Sequence, residues 1–244
     1  MTARATLAYV GLLFHATVQP AQAAAQGDKV PNVVAPTPHS RPLISGKTVA
    51  LTGLLFGAAL LGDGSVRQEV QEHRGATTNS LAKIGKTLGE WQFLVPTISA
   101  GLLAGQLSGS RDLKRVMLHA GAATVLATGV TTGLKYSIGR TRPGSGDPDQ
   151  FRPFSGSNSF PSGHTAAAFA LATSIADQTG DSWSDVILYS AATLTALSRV
   201  NDDRHWTSDV LIGALIGHLS GRWVARRMTA VRVAPGAVAV DLPF

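Results

Sequence analysis

The residues able to do chemistry fall into three short stretches. The first, KYSIGRTRP from Lys135 to Pro143, places Lys135, Arg140 and Arg142 at the end of an apolar run and just beyond it. Cations at a helix C-terminus offset its dipole by a few tenths of a kcal/mol, so this stretch alone decides little. The second, SFPSGHT from Ser159 to Thr165, makes a turn at Pro161, Ser162 and Gly163 that leads into an apolar run from Ala166. Free backbone N–H groups and a hydroxyl at a positive helix end favour an anion. The plain alternative is an ordinary N-cap at Ser162 with His164 in solvent. The third, SRVNDDRHWTSD from Ser198 to Asp209, sets His205 and Asp209 four residues apart beside Arg199. If helix has begun by His205, both side chains share a face and the carboxylate can accept from the imidazole. An imidazole held that way has one nitrogen fixed as donor and the other free as base, nucleophile or metal ligand. The plain alternative here is a surface ion pair.

Composition narrows what surrounds these stretches. A chain of 244 residues allows one domain with short appendages and leaves little room for a separate cofactor module. Apolar residues make up 44% and charged residues only 15%, with a mean hydropathy of +0.14, so the chain is globular and partly lipophilic rather than disordered. Glycine and alanine are abundant and aromatics reach only 6%, which favours closely packed helices. The absence of cysteine removes disulfides, zinc ribbons and thiol nucleophiles. A formal charge of +6 and a pI near 10.1 suit an anionic partner. Nothing argues for nucleic acid, because the basic residues are not interleaved with aromatics.

The elements that must position the three stretches follow from the apolar runs. Residues 1–24 read as a signal peptide: Arg4, an apolar run from Leu7 to Phe14, then the small residues AQAAA. Residues 25–44, with Pro31, Pro36, Pro38 and Pro42, read as an extended leader. The folded domain spans 45–228, with apolar segments at 47–62, 92–108, 115–135, 164–178, 184–200 and 209–227, predicting about six core helices. Only 116–134 is long and uncharged enough to span a bilayer comfortably, which leaves membrane integration open. Two connections are long: 63–91, polar with a short helix, and 136–163, rich in Gly, Pro, Ser and Arg. The tail, 229–244, predicts a short hairpin around Pro235-Gly236.

Together the three motifs resemble the signature of the type-2 phosphatidic acid phosphatase superfamily, which includes class A acid phosphatases and vanadium haloperoxidases. Its pattern is Lys, six residues, Arg-Pro, then Pro-Ser-Gly-His, then Ser-Arg, five residues, His, three residues, Asp. Lys135, Arg142 and Pro143 match it, as do Pro161, Ser162, Gly163 and His164, and then Ser198, Arg199, His205 and Asp209. The resemblance covers about residues 115–225. It implies an all-α bundle with the active site at one end. It also implies that His205 is the nucleophile forming a phosphohistidine, that Asp209 fixes its tautomer, and that His164 protonates the leaving oxygen and then activates water. Lys135, Arg142 and Arg199 would bind the non-bridging oxygens, helped by the Ser162 hydroxyl and the Gly163 N–H.

Three fixed cations would then supply the electrostatic stabilisation that Mg²⁺ gives many phosphotransferases, so no metal or other cofactor is expected, and vanadate is expected to inhibit by mimicking phosphate. The expected activity is phosphomonoester or pyrophosphate hydrolysis outside the cytoplasm, in the periplasm and in association with a membrane. Lipid phosphates are favoured over small soluble esters as substrates. Two other classes stay on the table: a vanadate-dependent haloperoxidase using the same cradle, and a non-catalytic anion-binding module. Both histidines and Asp209 speak against the latter, since binding alone needs only the cations. Arg140 falls at a variable position of the motif and is assigned no role. Asp202, Asp203 and Arg204 are assigned to local loop structure, and His119 and His218 to core or interface.

Overall fold

The computed structural model describes residues 46–145, 151–156, 158–228, 230–234 and 237–241. The signal-peptide and leader readings lie outside the described residues. Among the described residues seven helices run in chain order: α1 Gly46–Glu72, α2 Ala76–Gly89, α3 Trp91–Leu107, α4 Arg111–Ile138, α5 Gly163–Thr179, α6 Ser182–Asn201 and α7 Thr207–Arg227. A two-stranded antiparallel hairpin follows, β1 Ala230–Ala234 and β2 Ala237–Asp241, in which Ala234 pairs with Ala237 and Ala230 with Asp241. The architecture is an all-α bundle with a small β appendage.

Local chemistry sets several helix ends. The Ser110 hydroxyl accepts from the Leu113 N–H at 3.2 Å at the start of α4, and the Asp181 carboxylate accepts from the Ser184 N–H at 2.9 Å at the start of α6. Helix α4 stops at Gly139, which takes the left-handed conformation (φ 62°). A Cβ at Gly139 would also stand 1.8 Å from the Arg152 carbonyl oxygen, so both conformation and space demand glycine there.

Helix α5 is the centre of the bundle, packed between α4, α6 and α7. Its buried residues are almost all alanine, serine or threonine, and Ala166 and Ala170 join Ala123, Ala127 and Val224 in the main apolar cluster. Small side chains let backbones approach. Gly213, Gly217 and Gly221 of α7 face α5, and a Cβ on Gly217 would fall 2.3 Å from the Ala166 carbonyl oxygen.

All six apolar segments are helical, and among the described residues a seventh helix lies in the polar connection 63–91, where a short one is expected. What differs is the length of the helices there. Helix α1 continues ten residues past the apolar run, and 76–89 forms a full helix instead of a short one. Asp63, where the polar half of α1 begins, is 1% exposed and paired with Arg140, a buried ion pair that an apolar-period reading does not register. Helix α2 packs on α6 through Gly85 and Gly89, residues that carry no apolar signal; a Cβ at Gly85 would lie 2.2 Å from the Leu194 carbonyl oxygen.

Candidate active site

Four helix termini meet at one end of the bundle: the C-terminal ends of α4 and α6 and the N-terminal ends of α5 and α7. Each carries part of the motif set. Lys135 sits in the last turn of α4 and Arg142 in the loop after it; Ser162, Gly163 and His164 open α5; Arg199 lies in the last turn of α6; His205 and Asp209 flank the start of α7. The N-termini of α5 and α7 add the positive ends of two helix dipoles.

Backbone hydrogen bonds stitch these ends together. The Ser162 N–H donates to the Asp209 carbonyl at 3.0 Å, and the Arg204 and His205 N–H groups donate to the Arg199 carbonyl at 3.0 and 3.2 Å. Ser162 is fully buried and holds the N-cap position, but its hydroxyl accepts from Thr165 Oγ1 at 2.9 Å instead of capping the helix. Its own proton is left to donate elsewhere. The Phe160–Pro161 peptide is cis.

His205 lies two residues before α7 begins, so it does not share a helix face with Asp209 as the spacing predicts. The chain nevertheless turns so that His205 Nδ1 stands 3.6 Å from Asp209 Oδ2, both side chains being almost fully buried. That distance is within ion-pair reach and just beyond a hydrogen bond. Asp209 Oδ2 accepts at closer range from the Trp206 N–H at 3.0 Å and the Ser159 hydroxyl at 2.5 Å.

The cations divide by task. Arg199 is 6% exposed, and its Nε and Nη1 find no hydrogen-bond acceptor among the described residues; the same holds for Nε of Arg142. Buried guanidinium donors without acceptors are costly unless an anion takes them. Lys135 Nζ donates to the carbonyl oxygens of Asn158 and Ser159, so it braces the loop leading into α5, while its Cε is 3.9 Å from the position of a Cβ on Gly163.

Electrostatics tie these groups into one site. Burial, then the charges of Arg199, His205, Lys135 and Arg142, push the His164 imidazole down to about 4. Burial likewise takes His205 down to about 4, against the pull of Asp209 and with the push of Lys135 and Arg199. Burial alone would raise the Asp209 carboxyl, but His205, Arg140 and Ser159 hold it below the ordinary carboxylate range. At neutral pH the site therefore presents two neutral imidazoles, an ionised carboxylate and a cluster of cations.

Sequence reasoning left out a second layer. Arg140 is no bystander: it is 1% exposed, with Nη1 donating to Ser208 Oγ at 2.7 Å and Asp209 Oδ1 at 2.9 Å, and Nη2 donating to Asp63 Oδ2 at 2.9 Å. Its guanidinium lies 5.1 Å from the ring centroids of both Phe151 and Trp206. Asp63 in turn accepts from the Ser208 N–H at 2.9 Å. The available signal was a lone acid closing a long apolar run. Asp203, read as loop, is held by both forks of Arg67 at 2.7 Å. Among the described residues no group of three or more His, Cys, Asp or Glu side chains is placed to hold a metal ion.

An all-helical bundle that sets two histidines beside guanidinium N–H groups with no acceptor among the described residues is able to hold an oxyanion. Residues 116–232 match the family model described as the PAP2 superfamily. Lipid A 1-phosphatase of Porphyromonas gingivalis is 36% identical over 126 residues, which are 50% of this chain and 26% of that protein. The chain thus spans about a quarter of the length of that curated relative. Two crystal structures share the fold. LpxE of Aquifex aeolicus aligns with a TM-score of 0.56 at 24% identity, covering 66% of this chain and 93% of that one. A transmembrane PAP2-type phosphatidylglycerolphosphate phosphatase of Bacillus subtilis aligns with a TM-score of 0.54 at 23% identity, covering 72% and 92%.

Proposed function

We propose that this protein is a phosphoric monoester hydrolase that removes phosphate from a lipid without a metal ion, through a phosphohistidine. The observation that carries the reading is the buried His205–Asp209 pair placed beside Arg199, whose Nε and Nη1, and Arg142, whose Nε, find no acceptor among the described residues. The 36% identity to a lipid A 1-phosphatase supports a lipid phosphate as substrate.

Lys135, Arg142 and Arg199, with the Ser162 hydroxyl and the Gly163 N–H, hold the non-bridging oxygens and stabilise charge in the transition state. The neutral Nε2 of His205 attacks phosphorus in line; the P–N bond forms as the P–O ester bond breaks, and His164 gives its proton to the leaving oxygen. Asp209 stabilises the positive charge on the phosphorylated imidazole. In the second half, His164 takes a proton from water, the hydroxide oxygen bonds to phosphorus, the P–N bond breaks, and phosphate leaves. A dianionic phosphate among the cations offsets the charges that hold His164 down, so substrate binding returns the proton affinity that a general acid needs.

The surface supports action at a bilayer. Helix α4 is, among the described residues, the one helix long and apolar enough to cross a membrane, and only 33% of its most apolar window is buried in the bundle. Leu54 and Leu61 on α1, Leu107 on α3, Val125 on α4 and Trp183 on α6 are all more than two-thirds exposed. Large apolar side chains exposed on four helices are surface that a bilayer could cover. We place the enzyme at a membrane, facing the periplasm.

The test is phosphate release from a lipid A-type phosphate and from a soluble ester by full-length protein in detergent, with and without EDTA. Wild type releases lipid phosphate in EDTA and is inhibited by vanadate, and His205→Ala releases none. Loss of activity on chelation overturns the metal-free route, and full activity in His205→Ala overturns the nucleophile.

A further inference from the structure

Behind Asp209 lies a charge arrangement that the phosphatase chemistry does not itself require. Asp63 from α1 and Asp209 from α7 share a single guanidinium, Arg140, and all three side chains are no more than 1% exposed. Two carboxylates against one guanidinium leave a buried surplus of one negative charge. Such a surplus is costly unless something positive faces it. Besides the charges of Lys135 and Arg142, the group that faces it, 3.6 Å from Asp209, is the His205 ring, which turns positive whenever it is protonated or phosphorylated.

The hydrogen bonds show how the surplus is directed. Arg140 occupies Asp209 Oδ1 and leaves Oδ2 turned toward Ser159, the Trp206 N–H and the His205 ring. Asp63 competes for the same guanidinium and also holds the Ser208 N–H and hydroxyl, so Arg140 cannot be spent wholly on Asp209. The Phe151 and Trp206 rings on Arg140 keep the plane of the fork in place. Every polar contact of Asp63 named here runs to Arg140 or Ser208, more than 70 positions along the chain, which ties α1 to the nucleophile.

We propose that Asp63 and Arg140 are positioning residues that orient Asp209 and divide its charge, and so set the proton affinity and nucleophilicity of His205. The proposal rests on the phosphatase reading for its link to catalysis, but its electrostatic content is independent of it. Other charged groups facing His205 are Lys135 from α4, Arg199 from α6 and, in mutual repulsion, His164 from α5; Asp63 and Arg140 act through Asp209. None of these changes in the variants below.

The signs separate a charge role from a scaffolding role. Asp63→Asn removes negative charge and frees Arg140 to neutralise Asp209, so the His205 pKa falls. Arg140→Gln removes positive charge, so the His205 pKa rises. Each shift is on the order of one unit. The double variant Asp63→Asn/Arg140→Gln falls between the two. If the pair only scaffolds, both single variants loosen Asp209 and the His205 pKa falls in both.

The experiment is NMR titration of the His205 ring in full-length, histidine-labelled protein in detergent micelles, with His205→Ala assigning the signal and circular dichroism checking the fold. Phosphate release is followed in parallel. Opposite shifts in the two single variants support the proposal, as does a kcat change with little change in KM. Shifts of the same sign, or none in a folded variant, overturn it. Should a single variant fail to fold, the double variant and Arg140→Lys decide: a His205 pKa within the wild-type value in Arg140→Lys and between the singles in the double supports the proposal, and a fall in both overturns it. Absence of phosphate release from wild type would reject the phosphatase reading while leaving the titration to judge Asp63 and Arg140.

Discussion

The backbone N–H of Ser162 donates to the carbonyl oxygen of Asp209 at 3.0 Å, joining the turn that presents His164 to the turn that presents His205. The two imidazoles therefore belong to one rigid unit made of the N-terminal ends of α5 and α7. What lets those ends meet is Gly213, where a Cβ would stand 2.5 Å from the Ser162 carbonyl oxygen.

Gly213→Val should force α5 and α7 apart beside the site. Overpacking of this kind costs about 1–3 kcal/mol. Thermal unfolding should show a lower Tm, and phosphate release should fall by more than the loss of folded protein explains. An unchanged Tm and rate would mean that the close approach is not needed.

Removing Arg199 should act on the transition state. Loss of one preorganised donor costs roughly 10²–10³ in kcat. Arg199→Lys should recover little, because a point charge cannot replace the fork that carries the unpartnered Nε and Nη1. Steady-state kinetics on one lipid phosphate checks both variants, and recovery to near wild type in the lysine variant would show that charge alone suffices.

His164→Ala should discriminate by leaving group. A general acid contributes about 10²–10⁴-fold where the leaving oxygen is basic, and far less where it departs unaided. Release from an alkyl phosphate should collapse while release from p-nitrophenyl phosphate survives. Equal losses on both would remove His164 from the proton-transfer role.

Acid should weaken both activity and fold. His205 is held at about 4, against an ordinary value near 6.5. For a histidine buried in the neutral form, the unfolded chain binds the proton first, so stability falls as pH drops from about 6.5 toward 4 and levels off below the folded value. The loss is on the order of a few kcal/mol for this fully buried ring, and His164, also held at about 4, adds in the same direction. Denaturant unfolding between pH 7 and 4 should show this slope, and it should flatten in His205→Ala. In the same window kcat/KM should fall only as pH approaches 4, where His205 takes up its proton.

Arg67→Ala should separate alignment from stability. The Arg67–Asp203 pair is 38% and 22% exposed, so its loss should lower stability by no more than about 1 kcal/mol. It does, however, hold the loop between Arg199 and His205. Misplacement near the reacting atoms costs up to about 10²-fold, so a several-fold fall in kcat/KM with a near-constant Tm is expected.

Much of this was legible from residue order alone. Lys135, Arg142, Ser162, Gly163, His164, Arg199, His205 and Asp209 all come to one end of the bundle, because each stands at the edge of an apolar run long enough to be a helix, and helix ends are where such runs deliver their side chains. The all-helical class followed from the same runs together with the abundance of alanine and glycine. Three things required the tertiary structure. The first is that His205 precedes α7 rather than riding on it, since spacing of four describes a helix face only where helix exists. The second is that α1 continues through its polar half and that α2 is a full helix, because buried ion pairs and glycine contacts hold them and neither leaves an apolar period. The third is the Asp63–Arg140–Asp209 chain: its members lie 77 and 69 positions apart, and no local rule connects them. Spacing along a chain encodes what neighbouring residues can do together, whereas the pairing of distant charges is decided only when packed helices exclude water and leave each charge one partner within reach.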